Sequence, residues 1–146
     1  MRVKEWMTAN PVCVAPDSSV AEVSQILKTK GFRRILVTDG KKLLGLITDR
    51  DIRSANASKA SSLSVYELNY LLDKLKASDI MTKKLYTISA HDSMAQCANS
   101  MLLHNISGLP VLENGNLVGI VTTSDILKAF IKQQDQLAEA QQLAKV

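Results

Sequence analysis

The segment from Met7 to Ile52 recurs at Met81 to Ile126 with a constant offset of 74 residues and no gap. The offset superimposes Met7-Thr8 on Met81-Thr82, Ser19 on Ser93, Ala21 on Ala95, Val37 on Val111, Leu43 on Leu117, Gly45 on Gly119, Thr48 on Thr122 and Asp51-Ile52 on Asp125-Ile126. Apolar positions between these also agree in class. Small, apolar and carboxylate positions held in one register imply that both copies fold alike. A copy of this size cannot bury its apolar face alone, so the two are expected to pack together.

Each copy opens with a short β-branched run, Val12-Cys13-Val14 and Tyr86-Thr87-Ile88, followed by a duplicated helix start. Ser19 with Glu22, and Ser93 with Gln96, have the spacing of capping boxes, in which the Ser oxygen accepts from a free first-turn amide and the Glu or Gln reaches back. Val20, Val23, Ile26 and Leu27 then form a stripe at helical spacing, matched by Met94, Cys97 and Met101. Two strands follow, Ile35–Val37 and Leu43–Ile47 in the first copy, Leu109–Leu112 and Leu117–Val121 in the second. Asp39-Gly40 and Asn114-Gly115 separate them as tight-hairpin signals. A second helix begins after Thr48 and after Thr122, the latter running through Ile126, Leu127, Phe130 and Ile131. The fold class is therefore α/β, two β-α-β-β-α repeats packed sheet to sheet about a pseudo-two-fold axis. The expected division is repeat 1 over 1–56, a linker with an inserted helix over 57–76, repeat 2 over 77–133 and a tail over 134–146. Residues 53–63 read as a Ser-rich connection. Ser64 with Glu67 starts the inserted helix, whose Val65, Leu68, Leu71, Leu72 and Leu75 should lie on the body. The Gln- and Ala-rich stretch from Gln133 is expected to be a helix end that frays or packs on a partner chain.

With 146 residues, 46% of them hydrophobic and 22% charged, the chain can build a full core and is not disordered. No apolar run approaches the roughly 20 residues that span a bilayer, and Met1–Trp6 lead into no signal-like stretch, so the expected setting is cytoplasmic, without a membrane partner. Cys13 and Cys97 fall at non-equivalent positions and are expected to be buried thiols. Neither they nor His91 and His104 have metal-ligand spacing, so no metal site is expected. The net charge of +4 is spread over short pairs, Arg33-Arg34, Lys41-Lys42 and Lys83-Lys84, and only 4% of residues are aromatic. That is a solvated cationic surface and not a base-stacking groove, and no nucleic-acid partner is expected. Phosphate-loop, dinucleotide, zinc-protease and nucleophile-elbow motifs are all missing from the sequence, and no catalytic residue is assigned.

The chemistry lies in a duplicated ending. Gly45-Leu46-Ile47-Thr48-Asp49-Arg50-Asp51 matches Gly119-Ile120-Val121-Thr122-Thr123-Ser124-Asp125. Each places a hydroxyl at a helix start and a carboxylate three residues on. The plainer reading is a capping pair that does nothing more than finish a helix. The functional reading is a nucleotide seat: free helix amides face a phosphate while an ionised Asp accepts from both hydroxyls of a ribose. Two copies, each behind a strand whose Gly admits close backbone approach, favour the second without deciding it.

These features resemble a tandem pair of cystathionine β-synthase (CBS) domains, or Bateman module. The resemblance is carried by Asp79-Ile80-Met81-Thr82, by Gly108-Leu109-Pro110-Val111 and by both Gly-to-Asp endings. The Thr-Asp-Arg-Asp ending of the first copy, with the Tyr-Glu-Leu-Asn-Tyr-Leu-Leu helix between copies, is similar to CBS pairs of the acetoin-utilisation type, in which an ACT domain often follows; none is expected within this sequence. The resemblance implies a regulatory module, not an enzyme, that binds AMP, ADP, ATP or S-adenosylmethionine in clefts between the copies, with or without Mg²⁺ and with no obligatory cofactor. It further implies a homodimer acting on a separate regulated protein. In the family's geometry Thr122, Ser124 and Asp125 work with Thr8, Asn10, Pro11, Val12, Arg33 and Arg34. Thr48, Arg50 and Asp51 work with Thr82, Leu85, Tyr86, Ser107, Gly108 and Leu109. Arg33-Arg34 stands where the second copy has Ser107-Gly108, so the Asp125 site is expected to bind phosphates more strongly; a solvated approach to the hairpin is the alternative for that pair. The rival for the whole chain is a ligand-free dimerisation or interaction module.

Overall fold

The computed structural model describes residues 1–60 and 64–145, with the side chains of 57–60 outside the description. In chain order the elements are α1 (Val3–Trp6), β1 (Thr8–Ala9), β2 (Cys13–Val14), α2 (Val20–Lys30), β3 (Arg34–Asp39), β4 (Lys42–Thr48), α3 (Asp49–Ala60), α4 (Val65–Lys74), α5 (Ala77–Ile80), β5 (Ile88–Ser89), α6 (Met94–His104), β6 (Gly108–Glu113), β7 (Asn116–Thr122) and α7 (Thr123–Ala144). The architecture is α/β, with one sheet ordered β2-β3-β4 and another ordered β1-β7-β6-β5. In both, a parallel pair (β2 with β3, β5 with β6) is followed by an antiparallel hairpin (β3 with β4, β6 with β7).

The compact units are not the contiguous repeats. One unit is Val12–Leu85; the other joins Met1–Pro11 to Tyr86–Val146. The opening segment of the first repeat thus belongs with the body of the second. There β1 pairs antiparallel with β7, Thr8 opposite Ile120 and Ala9 opposite Gly119. The opening segment of the second repeat belongs with the body of the first, where the Thr82 and Leu46 amides each donate to the other's carbonyl at 2.8 and 3.0 Å. Equivalent residues make the equivalent contribution. Val3 is fully buried in a core with Ile88, Met94, Cys97, Met101, Leu109, Val111 and Val121. Its counterpart Ala77 is fully buried in a core with Val14, Val23, Leu27, Ile35, Val37, Ile47 and Ile52.

Helix starts and turns follow the local chemistry. The Ser19 and Ser64 hydroxyls accept from the amides of Glu22 and Glu67, and Ser93 with Gln96 forms the full reciprocal box. Asn114 and Gly115 both have positive φ, as a two-residue hairpin turn needs. The register slips between Val37 and Thr38, and again between Val111 and Leu112, so each hairpin carries the same bulge.

Several expectations are corrected. Residues 53–60 are helical, a continuation of α3 and not a connection, and 61–63 lie outside the described residues. The second strand of the duplicated pair begins at Ile88, so Tyr86 and Thr87 precede it. Helix α4 packs on α2 and α3 but buries no residue fully, and Val65 is 72% exposed. Cys97 is buried, whereas Cys13 is only half-buried. The Gln-rich stretch from Gln133, by contrast, is a helix end as expected, continuing α7 through Ala144.

The crossing segments fit because Gly45 and Gly119 lack a side chain. A Cβ on Gly119 would lie 2.5 Å from the Met7 sulfur and 2.8 Å from the Thr8 carbonyl oxygen; one on Gly45 would lie 2.5 Å from the Met81 sulfur. Gly119→Ala and Gly45→Ala are each expected to lower stability by roughly 1–3 kcal/mol, read as a loss in urea midpoint at unchanged m-value, because the crossing backbone must shift. A midpoint equal to the parent's would show that the segments do not press on the glycines.

Candidate functional site

Each unit presents one capped helix start at the end of its hairpin. In the Val12–Leu85 unit the Thr48 amide donates to Asp51 Oδ2 at 2.9 Å and the Asp51 amide donates to Thr48 Oγ1 at 3.2 Å, a reciprocal box at the start of α3. In the other unit the Thr122 amide and hydroxyl both donate to Asp125 Oδ2, at 2.8 and 3.3 Å. The capping reading is therefore correct for both pairs. It leaves acceptor capacity unused: a carboxylate offers about four lone-pair sites, and among the described residues Oδ1 of each Asp takes no hydrogen bond. Both side chains are half-buried, held by the cap in one orientation with one oxygen free.

The unit that holds Asp125 also holds several of the candidate residues, some of them expected to work with Asp51. Thr8 lies on β1 beside β7, and Asn10, in the left-handed region at φ 50°, donates its amide to the Val118 carbonyl at the bulge. Asn tolerates that conformation better than other residues with a Cβ. Pro11 is half-buried and ends the crossing segment, while Ser124 is exposed in the first turn of α7. Gly108 is the register partner of Thr122, and the Ser107 carbonyl accepts from the Thr123 amide at 3.0 Å and hydroxyl at 3.3 Å. Tyr86, 43% exposed, stacks on His104 with ring centroids 3.6 Å apart. The Leu109 side chain is fully buried, so only its backbone is available to a ligand.

The unit that holds Asp51 holds the remaining candidates on an equivalent hairpin with different side chains. Arg34 is the register partner of Thr48, and the Arg33 carbonyl accepts from the Asp49 amide at 3.1 Å. Burial, and then the like charge of Arg33, press the Arg34 guanidinium below its usual range, although it stays charged. Arg50 is exposed in the first turn of α3, Thr82 lies across from Leu46, Leu85 is half-buried, and Val12 is 39% exposed. The basic pair and Val12 thus share a unit with Thr48 and Asp51; Ser107, Gly108, Leu109 and Tyr86 share one with Thr122 and Asp125. Two further residues carry no local sequence signal that ties them to the site. His104 lies flat against Tyr86. Cys97 lies in the core, and its thiol is pushed up to about 11, first by burial and then by the carboxylates of Asp125 and Asp92. Among the described residues no group of three or more His, Cys, Asp or Glu could hold a metal ion, and no helix is long and apolar enough to cross a membrane.

The CBS-domain family pattern matches residues 3–58 and 77–132. Over 132 residues the chain is 33% identical to the CBS domain-containing protein DDB_G0289609 of Dictyostelium discoideum, covering 89% of this chain and 91% of that one. The structure is similar to the acetoin utilization protein AcuB of Vibrio cholerae, with a TM-score of 0.79, 24% identity, and coverage of 95% of this chain and 96% of that chain. It is also similar to the CBS domain pair of protein MJ0100 in complex with 5′-methylthioadenosine and S-adenosyl-L-methionine, with a TM-score of 0.71, 29% identity, and coverage of 89% and 99%. The chain is 31% identical over 133 residues, 90% of its length, to a homoserine O-acetyltransferase of Methanosphaera stadtmanae, of which it spans 24%.

Two measurements test this geometry. Asp51→Ala and Asp125→Ala should each cost about 1 kcal/mol in chemical unfolding through loss of the cap, while the Asn variants, which keep an acceptor, should stay near the parent. Iodoacetamide at pH 8 should modify Cys13 and spare Cys97, whose thiolate fraction there is about one in a thousand with a value of about 11. Equal labelling of both thiols in the native protein would contradict the packing around Asp125.

Proposed function

The chain belongs to the CBS-domain family, and from that premise we propose that it is a regulatory module that binds an adenosine-containing ligand, AMP, ADP, ATP or S-adenosylmethionine, and acts on a separate protein as a homodimer. The observation that carries this reading is the open Oδ1 of Asp51 and of Asp125 at capped helix starts. A carboxylate fixed by its own cap accepts from a ribose diol without first losing side-chain freedom. The MJ0100 pair, whose structure holds 5′-methylthioadenosine and S-adenosyl-L-methionine, supports the ligand class. Thr48, Arg50 and Asp51, and Thr122, Ser124 and Asp125, are the proposed ribose and phosphate contacts. Thr8, Asn10, Pro11, Val12, Thr82, Leu85, Tyr86, Ser107, Gly108 and the Leu109 backbone supply the base and sugar walls. Arg33 and Arg34, two neighbouring like charges, are the proposed phosphate partners, since an anion relieves their mutual repulsion. A bound ADP or ATP would bring Mg²⁺ on its own phosphates. The proposed setting is the cytoplasm.

The role is binding, not catalysis. Control arises when the ligand's affinity differs between two states of the module, and the regulated protein then alters ligand affinity by the same factor. The second reading, a ligand-free interaction module, draws on a specific observation: both Asp side chains already have the structural task of capping.

A thermal-shift panel separates the two. At 100 times its dissociation constant, a ligand stabilises the fold by about 2.7 kcal/mol, so AMP, ATP, S-adenosylmethionine or 5′-methylthioadenosine should raise the midpoint by several degrees. Asp51→Asn and Asp125→Asn keep the cap acceptor, so their unliganded midpoints should match the parent's while one or both lose the shift. Arg33→Ala with Arg34→Ala should weaken ATP more than 5′-methylthioadenosine. A panel with no response at any ligand would favour the interaction module.

A further inference from the structure

The offset that aligns the repeats sets Tyr86 on Val12 and His104 on Lys30. An aromatic pair thus stands in the second copy where the first has an aliphatic side chain and an ammonium. The core does not require the pair, because neither ring belongs to the buried cluster of its unit.

Local chemistry holds His104 in place. It is the last residue of α6, and Asn105 follows it in the left-handed conformation, at φ 53°, that closes a helix. The Asn105 amide donates back to the Leu102 carbonyl and the Ile106 amide to that of Met101, while Ile106 packs against the core. The imidazole is therefore carried at a fixed point of the helix end. Tyr86 has less support of its own. It precedes β5, which begins at Ile88, and among the described residues its hydroxyl makes no hydrogen bond. What holds the phenol ring is the stack on His104, with centroids 3.6 Å apart and planes 14° from parallel.

One face of Tyr86 is closed by that stack, yet the residue is 43% exposed. The exposure lies on the opposite face and along the ring edge. A flat ring braced from behind is a surface for another flat ring. Stacking favours any nucleobase, since each has a π-face, whereas a sugar or a phosphate gains little from it. The brace matters because a freely turning Tyr loses its rotamer freedom when it binds, and a ring already fixed by His104 does not.

We propose that His104 is a positioning residue for base recognition: it braces Tyr86 so that the open face of the phenol ring receives the purine of the bound ligand. The platform has no counterpart at Val12 and Lys30, so base stacking belongs to the second repeat alone. This inference rests on the adenosine reading above and assigns the part of it that separates a base-bearing ligand from a bare sugar phosphate. Because stacking is indifferent to ring substituents, the platform selects for a base and not for adenine over guanine.

Isothermal titration of the full chain with 5′-methylthioadenosine and with AMP tests it. His104→Ala should weaken both by about fivefold to tenfold, the range of one aromatic stack, while His104→Phe, which keeps a flat ring behind Tyr86, should stay within about twofold of the parent. His104→Gln, polar and helix-compatible but without a ring, should lose as much as His104→Ala. Tyr86→Ala should lose at least as much again. In the Tyr86→Ala background His104→Ala should cost nothing further, because a positioning residue acts through the ring it positions. A residue that only supported the end of α6 would cost the same in both backgrounds, and that result overturns the proposal. So does a parent that binds while His104→Ala and His104→Gln bind equally well; the adenosine reading then stands without the brace. A parent that binds neither compound overturns the proposal and the reading together.

Discussion

The structure depends on a backbone crossing that only glycine permits. Met7-Thr8 runs over Gly119, and Met81-Thr82 runs over Gly45, each close enough that a Cβ would meet a methionine sulfur and a carbonyl oxygen. That approach lets β1 join β7 and lets Thr82 bridge to Leu46. It also carries Val3 and Ala77 into cores built mainly from the other repeat. Neither repeat, taken as a contiguous stretch, owns all of its core. The need for two copies, which a small apolar face only suggests, becomes a covalent fact of how the chain is threaded.

The same crossings set the surroundings of the two capped helix starts. Each hairpin ends in a Thr whose backbone is fixed by the sheet, and three residues on an Asp closes the cap. Capping and ligand binding are usually weighed as alternatives, yet here one side chain can do both: Oδ2 is occupied by the helix and Oδ1 is not. The cap contributes rigidity, and rigidity is what a binding carboxylate needs. The sites differ in their neighbours. Arg33-Arg34 adjoins Thr48, whereas Ser107-Gly108 adjoins Thr122. A basic pair thus stands beside one capped helix start, and a Ser-Gly pair without charge stands beside the other.

Much of this was legible in the sequence, because spacing and turn chemistry are local. The constant offset gave the repeat, Asn114-Gly115 gave a turn with two positive φ values, and Ser93 with Gln96 gave a complete box. What was not legible is what local chemistry leaves undetermined. Periodicity identifies a strand but not its partner, so the threading of the opening segments through the opposite units was visible only through resemblance. The Ser-rich stretch after Ile52 looked like a connection, but its alanines favour helix and α3 continues to Ala60. Cys13 sits in a two-residue strand at the edge of its sheet, which explains its half-exposure. Helix α4 has the apolar spacing of a buried face and yet buries nothing fully, since α2 and α3 cover only part of it. At the site, the Thr-x-x-Asp pattern fixed both residues but could not say which oxygen the helix would take.

The central claim is that a cap-fixed carboxylate holds a ribose diol, and an analogue without the diol tests it most directly. Isothermal titration of the full chain with 5′-methylthioadenosine and with its 2′,3′-dideoxy analogue keeps the base and the 5′ group constant. Loss of a charge-assisted hydrogen bond costs about 1.5–3 kcal/mol, so the dideoxy compound should bind more weakly by at least about tenfold. Equal affinity for the two would mean that neither Asp51 nor Asp125 grips the sugar, and the capped helix starts would then be structural alone.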